Sequence, residues 1–450
     1  IGLLSFTTPK GAVIDKGFLV NYSQSCLGID DADSLIDDLE RRKIIIYRKY
    51  NTRYILFEGT DLDIQLALNA ASNEVSEIND VANSLAKYLD LSPVMAKMYA
   101  LRNGTPRMFE YRISESPLEI TPKDETDGFI NLIFNDQLPL EGVKEISANQ
   151  EEAIIYGYYQ NARKIKDQLF EIEKTNKVLV DNAEDKVAVR ELESVLFHHK
   201  KLLNNYLTER TFSGEVVWIF KGEQIQIKNE RDFNKYLSQI CMKIYTDTPS
   251  FKNELVNKHR LSSSIITAKK EYIKRLVESW HLPELGFDTD RFPAEKTIYI
   301  TLLKENGVQL YNESVDFSDE ITSGSSFKPL WDKCIEFLEK SKKSKRRLSE
   351  LLEELNQRPF KLKQGLIDFW IPTFLFLKRN DFALFSDEFG YVPVLTPDVF
   401  EMIGKVPHKY EIKAFDLEGV RLDLFNSYRG LMNLSQSLRF DNQAFIETIK

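Results

Sequence analysis

The stretch from Asp31 to Asp63, DADSLIDDLERRKIIIYRKYNTRYILFEGTDLD, constrains the fold more tightly than any other. Leu35, Ile36, Leu39 and the Ile44/Ile45 pair recur at helical spacing, on a face that ends at Lys43. Ile44–Tyr47 and Tyr54–Phe57 then switch to β-branched and aromatic residues, which predicts two strands. The polar link from Arg48 to Arg53 places a turn at Asn51-Thr52. A helix that closes onto a basic two-stranded ribbon is the order of the second half of a winged helix.

The same order recurs near the other end. Leu348–Leu355 and Gln364–Leu377 read as helices separated by Arg358-Pro359-Phe360. Asp381–Phe385, a turn at Asp387–Gly390 and Tyr391–Leu395 read as a hairpin, and Thr396-Pro397-Asp398 caps a helix at Val399–Ile403. The expected fold class is therefore mainly α with small β-wings (α+β). The chain is multidomain, with at least two winged-helix-like units, 1–65 and 348–425, joined by helical tracts.

Between those units, 66–147 reads as a mixed segment. Helical patterns at Glu74–Leu89 and Val94–Leu101 precede a small strand insert at 107–135. Residues 148–208 read as two antiparallel helices, with Ile154, Ile155 and Tyr158 on the first apolar face and a turn within Val178–Glu184. Val216–Phe220 and Gln224–Ile227 read as a hairpin and Asp232–Tyr245 as a helix, completing a unit at 148–245. Within 246–315, Phe251–Asn257, Ser263–Trp280 and Lys296–Leu303 read as helices and Val308–Tyr311 as a strand. Segment 316–347 holds a polar loop, helix Leu330–Leu338 and a basic linker, and 426–450 a C-terminal helix.

With 42% hydrophobic residues among 450, the chain can bury real cores. Sixty Lys+Arg against 69 Asp+Glu give −9, which argues against a nucleic-acid-binding surface spread over the whole molecule and leaves room for a local basic patch. Cys26, Cys241 and Cys334 are odd in number and far apart, so a disulfide framework is not expected and the cytoplasm is. The densest apolar run, Phe369–Leu377, is too short to span a membrane and contains Pro372. The first residue is Ile1 rather than Met, and the simplest reading is a fragment cut from a longer protein.

Two basic groups are candidate contacts for nucleic acid or a partner. Arg41, Arg42, Lys43, Arg48, Lys49 and Arg53 flank the first ribbon, where they would sit on phosphates or simply blunt an exposed sheet edge. Lys342, Lys343, Lys345, Arg346 and Arg347, with Lys340, form the densest positive run, which reads equally as a phosphate-contacting arm or a solvated linker. Adjacent His198 and His199 cannot share a helix face, and His259, His281 and His408 stand alone, so no metal site is expected. Glu58, Asp61 and Asp63 form an acidic cluster better explained by helix capping than by a metal, as are Asp30, Asp31 and Asp33. Cys241 reads as a core thiol, and Phe369, Trp370, Phe374 and Phe376 read as core.

Three stretches together resemble a known family: LERRKIIIYRKYNTRYILFEGTDLDI (39–64), residues 245–276 with 292–308, and RPFKLKQGLIDFWIPTFLFLKRNDFALFSDEFGYVPVLTP (358–397). They look like the region downstream of the ATPase core in large bacterial P-loop ATPases associated with BREX-type and other phage-defence systems. The ATPase motifs do not carry over: no GxxxxGK[ST] occurs, and Gly324-Ser325-Ser326-Phe327-Lys328 lacks the spacing that cradles a triphosphate. The resemblance implies a non-catalytic scaffold and recognition region with no cofactor in this chain, ATP being bound upstream of Ile1. Its partners would be other subunits or domains of that ATPase, and duplex DNA through the basic wings, with no membrane. Two alternatives stand beside it, a stand-alone winged-helix DNA-binding regulator and a metal-dependent enzyme with a dispersed carboxylate site. Against the regulator, the helix Leu35–Lys43 starts acidic (Asp37, Asp38, Glu40), which favours protein docking over groove reading.

Overall fold

The structure is a computed structural model. It describes every residue except 10, 11, 49–51, 57–61, 76, 77, 79, 89, 90, 136, 161, 209–214, 309–320, 416–419 and 433–450. The N-terminal unit holds α1 (Gly2–Thr7), α2 (Lys16–Leu27), α3 (Ala32–Arg41) and the antiparallel pair β1 (Ile45–Arg48) and β2 (Arg53–Leu56). Ile14 bridges to Arg53, so one more extended segment lies beside the ribbon. The predicted apolar face is realised in part: Ile36 and Ile45 join Leu19 and Tyr54 in one small core with Leu39 packed against it, while Leu35 and Ile44 stay about half exposed. Asp63 caps α4 (Ile64–Ala71), its carboxylate accepting from Leu66 N at 3.1 Å.

The middle of the chain departs from expectation. Elements α5 (Val81–Ala86), β3 (Val94–Met95), α6 (Lys97–Asn103), β4 (Met108–Ser114), β5 (Gly128–Ile133), α7 (Leu140–Asn149) and β6 (Ile154–Tyr159) follow one another. After them come α8 (Ala162–Asp181), α9 (Lys186–Thr208), β7 (Val216–Phe220), β8 (Glu223–Ile225) and α10 (Glu230–Ile244). Six strands form one sheet in the order β3-β4-β5-β6-β7-β8, parallel across β4, β5 and β6 and antiparallel elsewhere. The strands at 107–135 are thus the centre of a mixed sheet rather than a small insert. Ile154, Ile155 and Tyr158 belong to β6, not to a helix. A short apolar run such as IIYGYY fits a fully buried strand as well as a helix, and the sheet around it decides.

Both faces of this sheet are covered. Ile130, Leu132 and Trp218 pack on Ile165 and Leu169 of α8 and on Phe233 and Leu237 of α10. Phe129, Ile133 and Ile219 face the other way, with Val143 of α7. The alternation along β5 is the two-residue period of a strand. Helices α8 and α9 form the expected antiparallel arm, and Val178 and Leu192 close it onto Ile64 and Leu68 of α4.

Two further helices differ from expectation. Residues 94–101 split into β3 and α6, and 251–257 are turns. There the Asn257 amide donates to Phe251 O at 3.0 Å and Gly104 O at 2.9 Å, so a side chain replaces helical backbone bonds. Of Glu74–Leu89, only Val81–Ala86 is helical among the described residues. The strand expected at Val308–Tyr311 and most of the helix expected at 426–450 lie outside the described residues.

The C-terminal part contains α11 (Ser263–Glu278), α12 (Ala294–Leu302), α13 (Lys328–Ser341), β9 (Arg346–Arg347), α14 (Leu348–Leu355) and α15 (Gln364–Leu377). It continues with β10 (Phe382–Ser386), β11 (Gly390–Val392), α16 (Pro397–Lys405), β12 (Tyr410–Ala414) and α17 (Val420–Leu431). Four strands pair in the order β11-β10-β12-β9, all antiparallel. Helix α15 is buried all round: from Gly365 to Leu377 only Asp368 escapes. Such a helix is a core element rather than an amphipathic surface helix. The backbone of 256–258 crosses it so closely that a Cβ at Gly365 would lie 2.2 Å from Val256 O. Gly→Ala inside a helix usually gains up to about 1 kcal/mol, whereas forcing atoms into a packed site costs about 1–3 kcal/mol. Gly365→Ala is therefore expected to lower the urea midpoint, and a raised midpoint would contradict this packing.

Candidate functional site

The predicted basic residues are placed mostly against acids of the same chain. Arg41 and Arg42 both engage Asp38, the latter at 2.7 Å, and draw its carboxyl below the usual range. Arg48 is buried and pairs with Glu191 on α9, while Arg53 donates to the Thr8 hydroxyl. Lys43 is exposed, with a left-handed backbone (φ 53°), and Lys49 lies outside the described residues. In the second run, Lys342 pairs with Glu339 at 2.8 Å and Arg346 with Glu350 at 3.0 Å. Arg347 reaches Asp387 at 3.1 Å and Glu411 at 3.6 Å, and the Lys345 ammonium sits 3.4 Å from the centre of the Phe385 ring. Lys343 is exposed. The run is thus not a free linker: Lys340 ends α13, Arg346 and Arg347 form β9, and most of its charge is neutralised locally.

A group that sequence reasoning missed lies where the six-stranded sheet meets the start of α15. Arg107, just before β4, and Asp127, just before β5, are fully buried with Lys363. Arg107 Nη1 donates to Asp127 Oδ1 at 2.7 Å and to Lys361 O at 2.6 Å. Its Nη2 donates to Thr248 Oγ1 at 2.8 Å and Phe360 O at 3.0 Å, and the guanidinium lies 4.1 Å from the Tyr245 ring centre. Asp127 Oδ2 accepts from Lys363 Nζ at 2.7 Å and from Met108 N at 2.8 Å. Lys361 Nζ donates to Pro122 O at 3.0 Å, pinning the crossover between β4 and β5. Burial works against the Asp127 anion, yet Arg107 and Lys363 outweigh it and hold the carboxyl below its ordinary range. Burial holds the Lys363 ammonium below lysine's usual value. These contacts span up to 254 positions along the chain, so no local spacing announces them.

A polar cleft of about 780 Å³ opens beside this group, lined by Glu110, Arg112, Lys123, Glu125, His259 and Arg260, among others. Two ion pairs line it, Arg112 to Glu110 at 2.7 Å and Arg260 to Glu125 at 3.0 Å. Burial, with Lys363 nearby, lowers His259 to about 4, so the imidazole is neutral near pH 7, and its buried Nε2 has no hydrogen-bond partner among the described residues. His199 Nδ1 lies 3.1 Å from Gln168 Oε1 and its ring meets that of His198 edge-on. Among the described residues, no three His, Cys, Asp or Glu side chains converge as a metal site would require. Glu58 and Asp61 lie outside the described residues. Cys241 is a core thiol as expected, and the buried Cys334 thiol, pushed up to about 12, accepts from Trp370 Nε1 at 3.4 Å.

An apolar groove of about 370 Å³ opens in the N-terminal unit between α2, α3 and the ribbon. Leu35, Ile44 and Leu56 leave about half of their surface exposed around it. What fold and surface define is a class: an α+β chain of several units, in which no described helix is long and apolar enough to cross a membrane. Neither a family model, nor a curated protein, nor a solved structure matches the chain.

Proposed function

We propose that this chain is a non-catalytic scaffold and docking region of a larger P-loop ATPase of the phage-defence kind, with winged-helix-like units that bind protein rather than read DNA. Element order supports the winged-helix part. Helix α1, the Ile14 segment, α2, α3 and the β1–β2 ribbon follow one another as helix, strand, helix, helix, wing. Helix α13, β9, α14, α15 and the β10–β12 pair repeat that order.

The observation that carries the docking part is what each unit does with its third helix. A groove-reading helix must offer donors to base edges. Helix α15 is buried, and α3 carries Asp33, Asp37, Asp38 and Glu40 beside an open apolar groove. The basic residues beside both wings are largely engaged by acids of the same chain, which leaves little charge to displace counterions from DNA.

Parentage is tested by the coding sequence in frame upstream of Ile1. A GxxxxGK[ST] motif there is the expected result, and a start codon immediately before Ile1 would overturn the reading.

A further inference from the structure

Helices α6 and α10 lie in contact on the side of the six-stranded sheet that carries Trp218. Lys97 N donates to Asn234 Oδ1 at 3.0 Å and Tyr99 N to Ser238 Oγ at 3.2 Å, so the two helices run in the same direction across the contact. The Asn234 amide also donates to Met95 O at 2.7 Å, which fixes β3 against the same helix. Tyr99, Phe233 and Leu237 point inward and are buried. The outward side is apolar where a surface is usually polar. Met95 is 37% exposed, Met98 43%, Leu101 74% and Met242 40%. Met95, Met98 and Met242, on β3, α6 and α10 in turn, are three of the chain's six methionines.

Around them stand exposed Lys97, Arg102, Arg231 and Lys235. None of the four forms an ion pair with a described acid, unlike the basic residues beside the wings. Asp232, the acid that follows Arg231, is engaged by the Asn229 amide at 3.3 Å. Four exposed cations thus stand against two acids, Glu230 and Asp232 in the first turn of α10, which leaves the rim net positive in a chain of −9.

We propose that the α6–α10 face docks an acidic amphipathic helix of a partner protein. This deepens the docking reading and rests on it. Unbranched thioether side chains adapt to apolar ridges of varied shape, and a shallow channel between two helices accepts a third. The cations at the rim select carboxylates on the partner and raise its association rate. The exposed apolar groups include no aromatic ring on which nucleic-acid bases would stack.

The test titrates the chain into a fluorescein-labelled peptide of about 18 residues, a Leu/Glu helix with leucines at i, i+3, i+4 and i+7. Saturable binding is expected. The double variant Lys97→Glu/Lys235→Glu and the single variant Leu101→Asp should each weaken it about tenfold or more. All three positions are exposed, and an unchanged urea midpoint verifies that the variants fold. Absence of binding, or equal binding by wild type and variants, overturns the proposal. Tighter binding at these residues by a Leu/Lys peptide, duplex DNA or phosphatidylserine vesicles also overturns it, by assigning the face to another class of partner. A failed titration with a Walker A motif upstream of Ile1 removes this face alone. A start codon immediately before Ile1 removes the parent ATPase and leaves the titration as it stands.

Discussion

Asp127→Asn is expected to destabilise the folded chain by about 3–5 kcal/mol, the cost of stranding buried charge. The side chains are nearly the same size, so the loss is electrostatic. Arg107 and Lys363 would keep their burial and lose the carboxylate that holds both within 2.7 Å. Lys363→Met removes one cation and leaves the Arg107–Asp127 pair intact, so it should cost less. Urea denaturation followed by tyrosine and tryptophan fluorescence reads both.

The pH dependence has a definite sign. The folded carboxyl of Asp127 titrates below its ordinary value of 3.8, so between the two values the unfolded chain binds more protons. The stability supplied by Asp127 is present above about pH 4 and is lost as pH falls through the folded value. The Asn variant should therefore show a flatter acid limb than wild type. Parallel acid limbs would mean that Asp127 is not charged in the fold.

Trp370→Ala is the second large effect, also about 3–5 kcal/mol for emptying a buried aromatic site. Trp370 is fully buried in the middle of α15 and packs against α13 and the residue before it. Its ring lies 5.3 Å from that of Phe327 and 6.3 Å from that of Trp331, and its Nε1 donates to Cys334 on α13. These helices are cross-braced by other large rings, which leaves little freedom to collapse into the void. A loss under about 1 kcal/mol would show that α15 is not the core of its unit.

The helices near both ends, the α8–α9 arm, β7 and α10 were legible in the sequence, and the single sheet that joins the middle strands was not. Leu348–Leu355 and Gln364–Leu377 coincide with α14 and α15 because helix-length apolar runs are bounded there by turn residues. Helix α3 and its ribbon were readable because apolar spacing changes period at Ile44. In the sheet, Ile154–Tyr159 is apolar on both faces, and a strand buried between two helical layers shows no alternation. The turn at 251–257 was misread because its own backbone closes only onto Asn253 O, and the Asn257 amide and the Asn103 carbonyl supply bonds that no local pattern shows. The Arg107–Asp127–Lys363 group was invisible for a related reason. Each residue looks like a stray surface charge until three separate segments meet.

The same limit applied to the candidate basic contacts. Charge density is plain in a sequence, whereas the acids that neutralise it can come from anywhere. Arg48 illustrates this, since its partner Glu191 comes from far along the chain.

The account rests on surfaces that dock protein while the basic wings stay engaged within the chain. Its most direct test is a titration of the chain into a fluorescein-labelled duplex at about 150 mM salt, read by anisotropy. No saturation is expected up to about 10 µM chain. Saturable binding below about 1 µM that disappears in Arg41→Glu/Arg42→Glu/Lys43→Glu would contradict it and return the first wing to DNA.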